Sequence, residues 1–286
     1  MARIAALLAF VLLSLPLGGC SRETLLNGLV PANGYTVHKN LAYGTDPRQK
    51  LDVYTPDAPN PNGCTVLFIY GGRWEDGDKE LYKFVGQALT TKGCVTAVAD
   101  YRVYPKAKYP AFVEDSARAF VWLHTHAREY GGNPNSLFIA GHSAGAYNAV
   151  MVAVHPRYLK EAGGQRRWIR GVIGISGPYD FLPFTDADIK DMFSPEKDGL
   201  TQPIHYAAQG LPPMLLVHGM NDTDVYPKNT VNFAKALRKT GNTPEVVLYK
   251  DATHKIIILS LLNGFRARIP LLEDMSRFIN EKAPAR

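Results

Sequence analysis

The chain has 286 residues, of which 46% are hydrophobic and 20% are charged, and its formal net charge is +6. This composition is typical of a globular protein, and the length suits one large domain or two small ones. The basic residues are scattered, with one tight cluster at residues 165–170. A nucleic-acid partner requires a basic face with interleaved aromatic side chains, so the sequence argues against nucleic-acid binding.

The N-terminus has the pattern of a bacterial lipoprotein signal rather than of a folded segment. Arg3 supplies a positive charge, and an almost wholly apolar run follows over residues 4–17. That run is too short to span a bilayer comfortably. The sequence LGGC at residues 17–20 resembles a lipobox, which implies cleavage before Cys20 and lipidation of that cysteine. A plain secretory signal with an incidental cysteine is the alternative.

A lipid anchor at Cys20 implies attachment to the bacterial cell envelope, because several acyl chains hold a protein stably on a membrane. Ser21 follows the cysteine instead of an aspartate, and the usual sorting rule for such lipoproteins then implies the outer membrane. We therefore expect a signal peptide over residues 1–19, a tether over residues 20–34 and one folded domain over residues 35–286.

Beyond the tether, strand and helix patterns alternate along the chain. The strand runs are almost continuously apolar, which is typical of strands buried on both faces. The sequence therefore predicts an α/β fold with a mainly parallel central sheet and helices on both faces. Residues 35–41 and 49–55 are predicted as edge strands. Residues 181–210 lack a regular pattern and could form a small lid or a pocket wall. The remaining predicted strands cover residues 65–70, 95–100, 137–139, 168–176, 214–218 and 246–249, and the predicted helices cover 79–91, 112–130, 228–239 and 271–280.

Two cysteines, Cys64 and Cys94, each stand at the start of a predicted buried strand. If these strands are parallel neighbours, both cysteines lie at the same end of the sheet, and an envelope compartment permits a disulfide. Two buried free thiols are the alternative, because cysteine packs well as a small apolar residue.

The run LFIAGHSAG at residues 137–145 is the most informative part of the chain. It joins an apolar strand to a G-x-S-x-G pentapeptide, and small and apolar residues that suit a helix begin at Ala144. Strand, sharp turn and helix together form a nucleophile elbow, which exposes the serine hydroxyl beside a positively polarised helix N-terminus. The run therefore predicts Ser143 as the nucleophile of a hydrolase.

A serine nucleophile requires a base, and the base requires an acid that orients it. After an elbow serine the chain order is acid and then histidine. His254 lies in a predicted loop after the last strand, at the sheet edge where ligands of α/β proteins bind. We predict that it is the base, with His205 in the irregular stretch as its competitor. Asp222 and Asp224 follow an earlier strand, and the chemistry of either suits the acid.

The reaction also requires an oxyanion hole. The sequence YGGRW at residues 70–74 follows a predicted strand, and its consecutive glycines let backbone N–H groups approach a developing oxyanion. The N–H group of Ala144, directly after the serine, is the expected further donor. No group of histidine, aspartate and glutamate residues has the ligand spacing of a zinc site. Neither a metal nor a cofactor is therefore expected.

In this order the motifs resemble the α/β-hydrolase superfamily over nearly all of residues 35–286. The nearest resemblance is to the carboxylesterase group, which includes hormone-sensitive-lipase-like esterases, feruloyl-esterase-like proteins and arylformamidases. The matching motifs are YGGRW at 70–74, DYR at 100–102, GHSAG at 141–145 and HGMNDTDV at 218–225. The resemblance implies an α/β-hydrolase fold with a minimal cap, and its acid motif selects Asp222 over Asp224.

The resemblance also assigns a role to each site residue. It implies Ser143 as nucleophile, His254 as general base and then acid, and Asp222 as the residue that holds the imidazole. The implied backbone donors of the oxyanion hole are Gly72, Arg73 and Ala144.

Two residues depart from the pattern of the group. Tyr70 replaces the usual histidine, which alters the bracing of the loop but not its backbone donors. Arg73 replaces the glycine of the lipase-like members. Its side chain could rim the acyl pocket and attract an acidic substrate, or it could point to solvent.

The expected function is that of a lipid-anchored, cofactor-free serine hydrolase. It would cleave small-molecule carboxylic esters with small or medium acyl groups through an acyl-enzyme. The same triad could hydrolyse the amide bond of an aryl formamide, which is the nearest alternative. A catalytically silent hydrolase-fold protein at the cell surface is the alternative from another class.

Overall fold

The computed structural model describes residues 26–59 and 63–284. The predicted signal peptide and Cys20 lie outside these ranges. Among the described residues, no helix is long and apolar enough to cross a membrane.

The centre of the fold is an eight-stranded sheet with the order β1-β2-β4-β3-β5-β6-β7-β8. β1 pairs antiparallel with β2, and β2 pairs antiparallel with β4, whereas all other neighbours are parallel. The strands are β1 (Tyr35–Ala42), β2 (Lys50–Pro56), β3 (Thr65–Ile69), β4 (Val95–Ala99), β5 (Leu137–His142), β6 (Gly171–Ile175), β7 (Met214–Gly219) and β8 (Glu245–Tyr249).

Helices cover both faces of this sheet, since every residue of β3 to β7 is buried. The helices are α1 (Lys83–Thr90), α2 (Ala111–His126), α3 (Ala144–Val154), α4 (Tyr158–Glu161), α5 (Ala187–Phe193), α6 (Lys228–Lys239), α7 (His254–Leu259) and α8 (Leu271–Lys282). All eleven residues of α3, the helix after the elbow, are buried. The α/β fold class with a mainly parallel sheet is therefore confirmed.

Several predicted boundaries differ from the structure for local reasons. β2 is not an edge strand, because it lies between β1 and β4. The predicted helix over residues 79–91 begins as a 3-10 turn at Lys79–Tyr82, which Asp78 caps by accepting a hydrogen bond from the amide of Glu80. β6 begins at Gly171 instead of residue 168, because a second 3-10 turn occupies Arg166–Trp168.

The two cysteines form a disulfide at the amino ends of β3 and β4. Thr65 and Val95 are paired residues of these parallel neighbours, so the preceding cysteines lie side by side, and Cys64 and Cys94 are bonded with Cα atoms 4.7 Å apart. The bridge therefore closes the strand ends opposite the edge that carries the elbow.

Residues 26–34, which the sequence assigns to the tether, contact the folded domain in the structure. Val30 is only 7% exposed, and the hydroxyl of Tyr35 donates to the carbonyl oxygen of Pro31 at 2.9 Å. Leu26 packs against the core as well.

Candidate active site

Ser143 lies at a sharp turn between β5 and α3. Its backbone has φ 56° and ψ −123°, a conformation that residues other than glycine rarely adopt. Strand and helix pass very close there. A Cβ on Gly145 would lie 2.1 Å from the carbonyl oxygen of Ile69, and one on Gly141 would lie 2.3 Å from that of Gly145. The G-x-S-x-G spacing is thus a packing requirement, and it places the serine at the carboxyl edge of the sheet.

The structure brings Ser143, His254 and Asp222 into one chain of hydrogen bonds. Ser143 Oγ lies 2.8 Å from His254 Nε2, and His254 Nδ1 lies 2.7 Å from Asp222 Oδ2. His254 is the first residue of the short helix α7, which Thr253 caps through the amide of Ile256. The imidazole can therefore donate to the carboxylate while it accepts from the serine hydroxyl, as a general base requires.

Asp222, and not Asp224, contacts the histidine. Asp222 is 2% exposed, and its Oδ1 accepts hydrogen bonds from the amides of Asp224 and Val225 at 3.1 and 2.9 Å. Burial raises the pKa of Asp222, but hydrogen bonds from His218 and His254 outweigh burial and hold that pKa below its ordinary value. Asp222 therefore stays ionised, whereas Asp224 is exposed at the pocket wall.

His218 supports the loop that carries Asp222. Its Nδ1 lies 2.8 Å from Thr230 Oγ1, and its Nε2 lies 2.8 Å from the carbonyl oxygen of Val225 and 3.3 Å from Asp222 Oδ2. Nε2 therefore carries the proton and donates to these oxygens, while Nδ1 accepts from the threonine hydroxyl. His218 and His254 therefore contact the same carboxylate oxygen of Asp222, Oδ2.

His142 packs against His254, the predicted base. Its Nε2 donates to the backbone oxygen of His254 at 3.0 Å, and the two ring centroids are 4.7 Å apart. Burial, assisted by the neighbouring His254, lowers the pKa of His142 well below its ordinary value. The ring therefore stays neutral and holds the histidine loop by a hydrogen bond.

The other histidine competitor lies elsewhere. His205 Nδ1 lies 2.6 Å from the carbonyl oxygen of Gly199 in the irregular stretch, and it does not line the pocket beside Ser143. The stretch itself packs through Phe181 and Phe193 against Trp74. It supports the oxyanion loop from behind rather than covering the serine.

The oxyanion loop follows β3 and faces the elbow. Gly72 and Arg73 have φ values of 136° and 54°, and the carbonyl oxygen of Gly72 accepts the amides of Glu75 and Asp76, both at 3.0 Å. In the part of the chain that the structure describes, the amides of Gly72 and Arg73 have no backbone acceptor. The amide of Ala144 begins α3 and has no partner within that helix. All three are therefore available to an oxyanion.

Tyr70 anchors this loop from the core. Its hydroxyl donates to Asp100 Oδ1 at 2.7 Å and accepts from Arg48 Nη2 at 2.7 Å. Arg48 also donates to the backbone oxygens of Gly77 and Tyr101, and the hydroxyl of Tyr101 donates to the backbone oxygen of Tyr70 at 3.0 Å. The Tyr70 hydroxyl thus braces the oxyanion loop from the core.

Asp100 also belongs to a group of carboxylates whose ligand atoms all lie within 4.8 Å of one another, together with Asp78 and Glu80. Their oxygens accept hydrogen bonds from the Tyr70 hydroxyl and from backbone amides, and the ammonium of Lys79 contacts Glu80. We assign these carboxylates to the support of the oxyanion loop.

Arg73 is exposed at the pocket rim, and two acids contact its guanidinium. Its Nη1 lies 3.1 Å from Asp186 Oδ2, and its Nε lies 3.4 Å from Glu75 Oε2. Asp76, Asp224 and Lys255 also line the pocket. The positive charge of Arg73 is therefore balanced locally, and the rim offers no net attraction to an acidic substrate.

A pocket of about 670 Å³ opens at the serine, and its walls are largely apolar. The apolar residues that line it come from four separate parts of the chain and include Leu26, Leu81, Tyr82, Phe84, Val225, Ile258 and Leu259. The sequence pattern indicated a helix over residues 79–91 and a loop that contains His254. It did not indicate which side chains of these segments would face the serine.

A serine, a histidine and an aspartate joined at an elbow of a parallel sheet define an α/β-hydrolase fold with a complete triad geometry. Residues 51–237 match the model of the BD-FAE family. The chain belongs to this family, within the α/β-hydrolase group of carboxylesterases and arylformamidases.

Individual relatives are distant in sequence. The chain is 28% identical over 270 residues to a probable isoprenylcysteine alpha-carbonyl methylesterase of Arabidopsis thaliana. This alignment covers 84% of this chain and 56% of the relative. It is 27% identical over 236 residues to the kynurenine formamidase of Salmo salar, with 79% of this chain and 77% of the relative. The chain thus spans little more than half of the plant methylesterase.

The fold is also that of solved esterase structures. Esterase B from Lactobacillus rhamnosis superposes with a TM-score of 0.76 at 21% identity, over 98% of this chain and 96% of that one.

Proposed function

We propose that the protein is a carboxylesterase-type serine hydrolase that cleaves carboxylic esters through an acyl-enzyme. The observation that supports this most directly is the hydrogen-bonded chain from Ser143 through His254 to Asp222, at the floor of an apolar pocket. A catalytically silent protein would have no need to bury an ionised aspartate behind a histidine and a strained serine.

In the acylation step, Ser143 Oγ attacks the ester carbonyl carbon while its proton passes to His254 Nε2. The carbonyl π electrons move to oxygen, and the resulting oxyanion accepts hydrogen bonds from the backbone amides of Gly72, Arg73 and Ala144. When the tetrahedral intermediate collapses, the bond to the leaving oxygen breaks and that oxygen takes the proton from Nε2. Alcohol departs, and the acyl group stays on the serine.

Water completes the cycle in the deacylation step. Nε2 of His254 removes a proton from water as its oxygen attacks the acyl carbon, and collapse of the second intermediate returns that proton to Ser143 Oγ. The ionised Asp222 stabilises the imidazolium formed in both halves of the reaction. No group other than the triad, the backbone amides and water takes part.

The pocket favours an uncharged acyl group of small or medium size. Its volume of about 670 Å³ lies within the ordinary range of small-molecule sites, and its apolar walls stabilise hydrocarbon by about 25 cal/mol per Å² of buried surface. The balanced charge of Arg73 gives no reason to expect an acidic substrate.

An aryl formamide is the second candidate substrate, and the similarity to the fish kynurenine formamidase favours it. Amide cleavage uses the same nucleophile and donors, but the leaving nitrogen must be protonated more fully by His254 before the bond breaks. The rate on an aryl formamide relative to its ester analogue therefore distinguishes the two substrates.

We also propose that Cys20 is lipidated and anchors the enzyme to the outer membrane, with residues 1–19 removed. The LGGC sequence and Ser21 support this proposal, as does the buried Cys64–Cys94 disulfide, because disulfides persist in oxidising compartments. The mass of the mature N-terminal peptide from a bacterial membrane fraction tests it directly.

The activity is tested with the chain that starts at Ser21, using p-nitrophenyl acetate, butyrate and octanoate beside an aryl formamide. Ser143→Ala is the matched variant, since it removes only the nucleophilic oxygen. We expect butyrate hydrolysis to be lost in Ser143→Ala at unchanged thermal stability. Equal rates in both proteins, or no turnover by the folded wild type, would refute the proposed function.

A further inference from the structure

We infer that the mouth of the active-site pocket faces the membrane that carries the lipid anchor, and that the enzyme takes an amphiphilic ester from that surface. This inference rests on the hydrolase function and on the lipidation of Cys20, both proposed above.

The first support is the short distance along the chain between the anchor and the pocket. Leu26 lines the same pocket as Ser143, and the segment that follows is held to the domain by the buried side chain of Val30. A chain spans at most about 3.6 Å per residue, so the six steps from Cys20 to Leu26 reach roughly 20 Å in any conformation. Leu26 at the pocket must therefore stay within roughly 20 Å of the acylated cysteine.

The second support is where exposed apolar side chains lie. Leu29, Met220 and Tyr226 are 48%, 49% and 59% exposed. Leu29 belongs to the segment that includes Leu26, and the other two lie in the loop between β7 and α6 that carries the triad aspartate. An apolar body with a polar tip, as in tyrosine, suits the boundary between water and lipid. Each of these side chains is within four residues of Leu26, Asp224 or Val225, which line the pocket, and together they supply apolar surface for contact with lipid near its mouth.

The charges of the rim indicate which kind of membrane suits it. The cation of Arg73 is paired with Glu75 and Asp186. Asp76 and Asp224 line the pocket as well, with Lys255 as the other cation. Acids therefore outnumber bases around the mouth, and an anionic surface would repel it. The rim fits a zwitterionic phospholipid surface and an ester without negative charge.

The experiment uses the lipidated mature chain, which begins at Cys20, in phosphatidylcholine vesicles with two substrates. One substrate is the water-soluble p-nitrophenyl acetate, and the other is 4-methylumbelliferyl octanoate, which partitions into the bilayer and carries a medium-length acyl group. A variant carries 30 Gly/Ser residues between Arg22 and Glu23, which lets the domain move away by roughly 30 Å. We expect its rate on the octanoate ester to fall at least fivefold, with the acetate rate unchanged.

A surface variant tests the contact itself. Leu29→Asp combined with Tyr226→Asp should lower octanoate hydrolysis several-fold and leave acetate hydrolysis intact. Ala208→Asp combined with Gln209→Asp is the matched control, because it places the same two negative charges on exposed residues before the amino end of β7, outside the pocket at Ser143. We further expect slower octanoate hydrolysis when phosphatidylglycerol replaces half of the phosphatidylcholine.

The outcomes separate this inference from those on which it rests. Measurable octanoate rates that are equal in the wild type, the linker variant and the surface variant would overturn the membrane-facing mouth. Acetate hydrolysis that survives in Ser143→Ala would instead overturn the hydrolase function. Absence of acyl chains from the N-terminal peptide would overturn the proposed lipid anchor and, with it, the proposed orientation on the membrane.

Discussion

Loss of the Cys64–Cys94 disulfide should destabilise the protein without changing its catalysis. The bond joins residues 30 positions apart. Loop closure in the unfolded chain then accounts for an entropy of about 12 cal/mol/K, or roughly 3.6 kcal/mol of the free energy of unfolding at 25 °C. That is a large share of the 5–15 kcal/mol typical of a folded domain. The triad lies at the other end of strands that are about 17 Å long, so kcat should stay the same.

Urea unfolding followed by far-UV circular dichroism measures this difference. The variant Cys64→Ala/Cys94→Ala also removes two buried sulfur atoms, so reduced wild-type protein is the better comparison, because it keeps both sulfurs and lacks only the bond. We expect the reduced protein to lose about 3.6 kcal/mol and the double variant to lose more, because of the missing sulfur atoms, with p-nitrophenyl butyrate turnover unchanged below the transition. A loss under about 1 kcal/mol on reduction would refute the loop-closure reasoning.

Three further predictions concern the site and its supports. Asp222→Asn should lower kcat on p-nitrophenyl butyrate about 10⁴-fold, whereas Asp224→Asn should keep nearly the wild-type rate; equal losses would mean that the acid is misassigned. Tyr70→Phe removes the hydroxyl that bridges two charged groups behind the oxyanion loop, and it should cost about 1–3 kcal/mol in urea unfolding and lower kcat more than it changes KM. For His142, burial holds the pKa below its ordinary value, so the unfolded chain binds a proton that the folded chain does not. Wild-type stability should therefore fall as pH drops below about 6.5, by roughly 1.4 kcal/mol per pH unit. In His142→Gln that component should be absent, and an unchanged pH profile of the free energy of unfolding would contradict this assignment.

The elbow was predictable from sequence because everything that defines it is local. Strand, turn glycines and helix lie within residues 137–154, and the close packing of Gly145 on Ile69 is a direct result of that spacing. The acid was not predictable from chemistry alone, since Asp222 and Asp224 are two residues apart. Only the direction of the loop after β7 decides which one faces the histidine.

Features that depend on distant parts of the chain remained open in the sequence. The disulfide depends on the adjacency of β3 and β4, which the sequence suggested but did not determine. The neutralisation of Arg73 depends on Asp186, which lies 113 residues further along. The packing of Leu26 and Val30 on the core was not visible in the sequence either, because it depends on parts of the chain that come together only in the folded state.

The sheet order has a consequence for how the protein acquires its chemistry during biogenesis. The nucleophile and its base are 111 residues apart, and the strand that precedes the base pairs last along the chain, at the outer edge of the sheet. Non-local pairing of this kind forms late and slowly in folding. A nascent or unfolded chain therefore carries a serine of ordinary reactivity. It cannot hydrolyse esters until the final quarter of the polypeptide, which supplies the aspartate and the histidine, has folded onto the sheet.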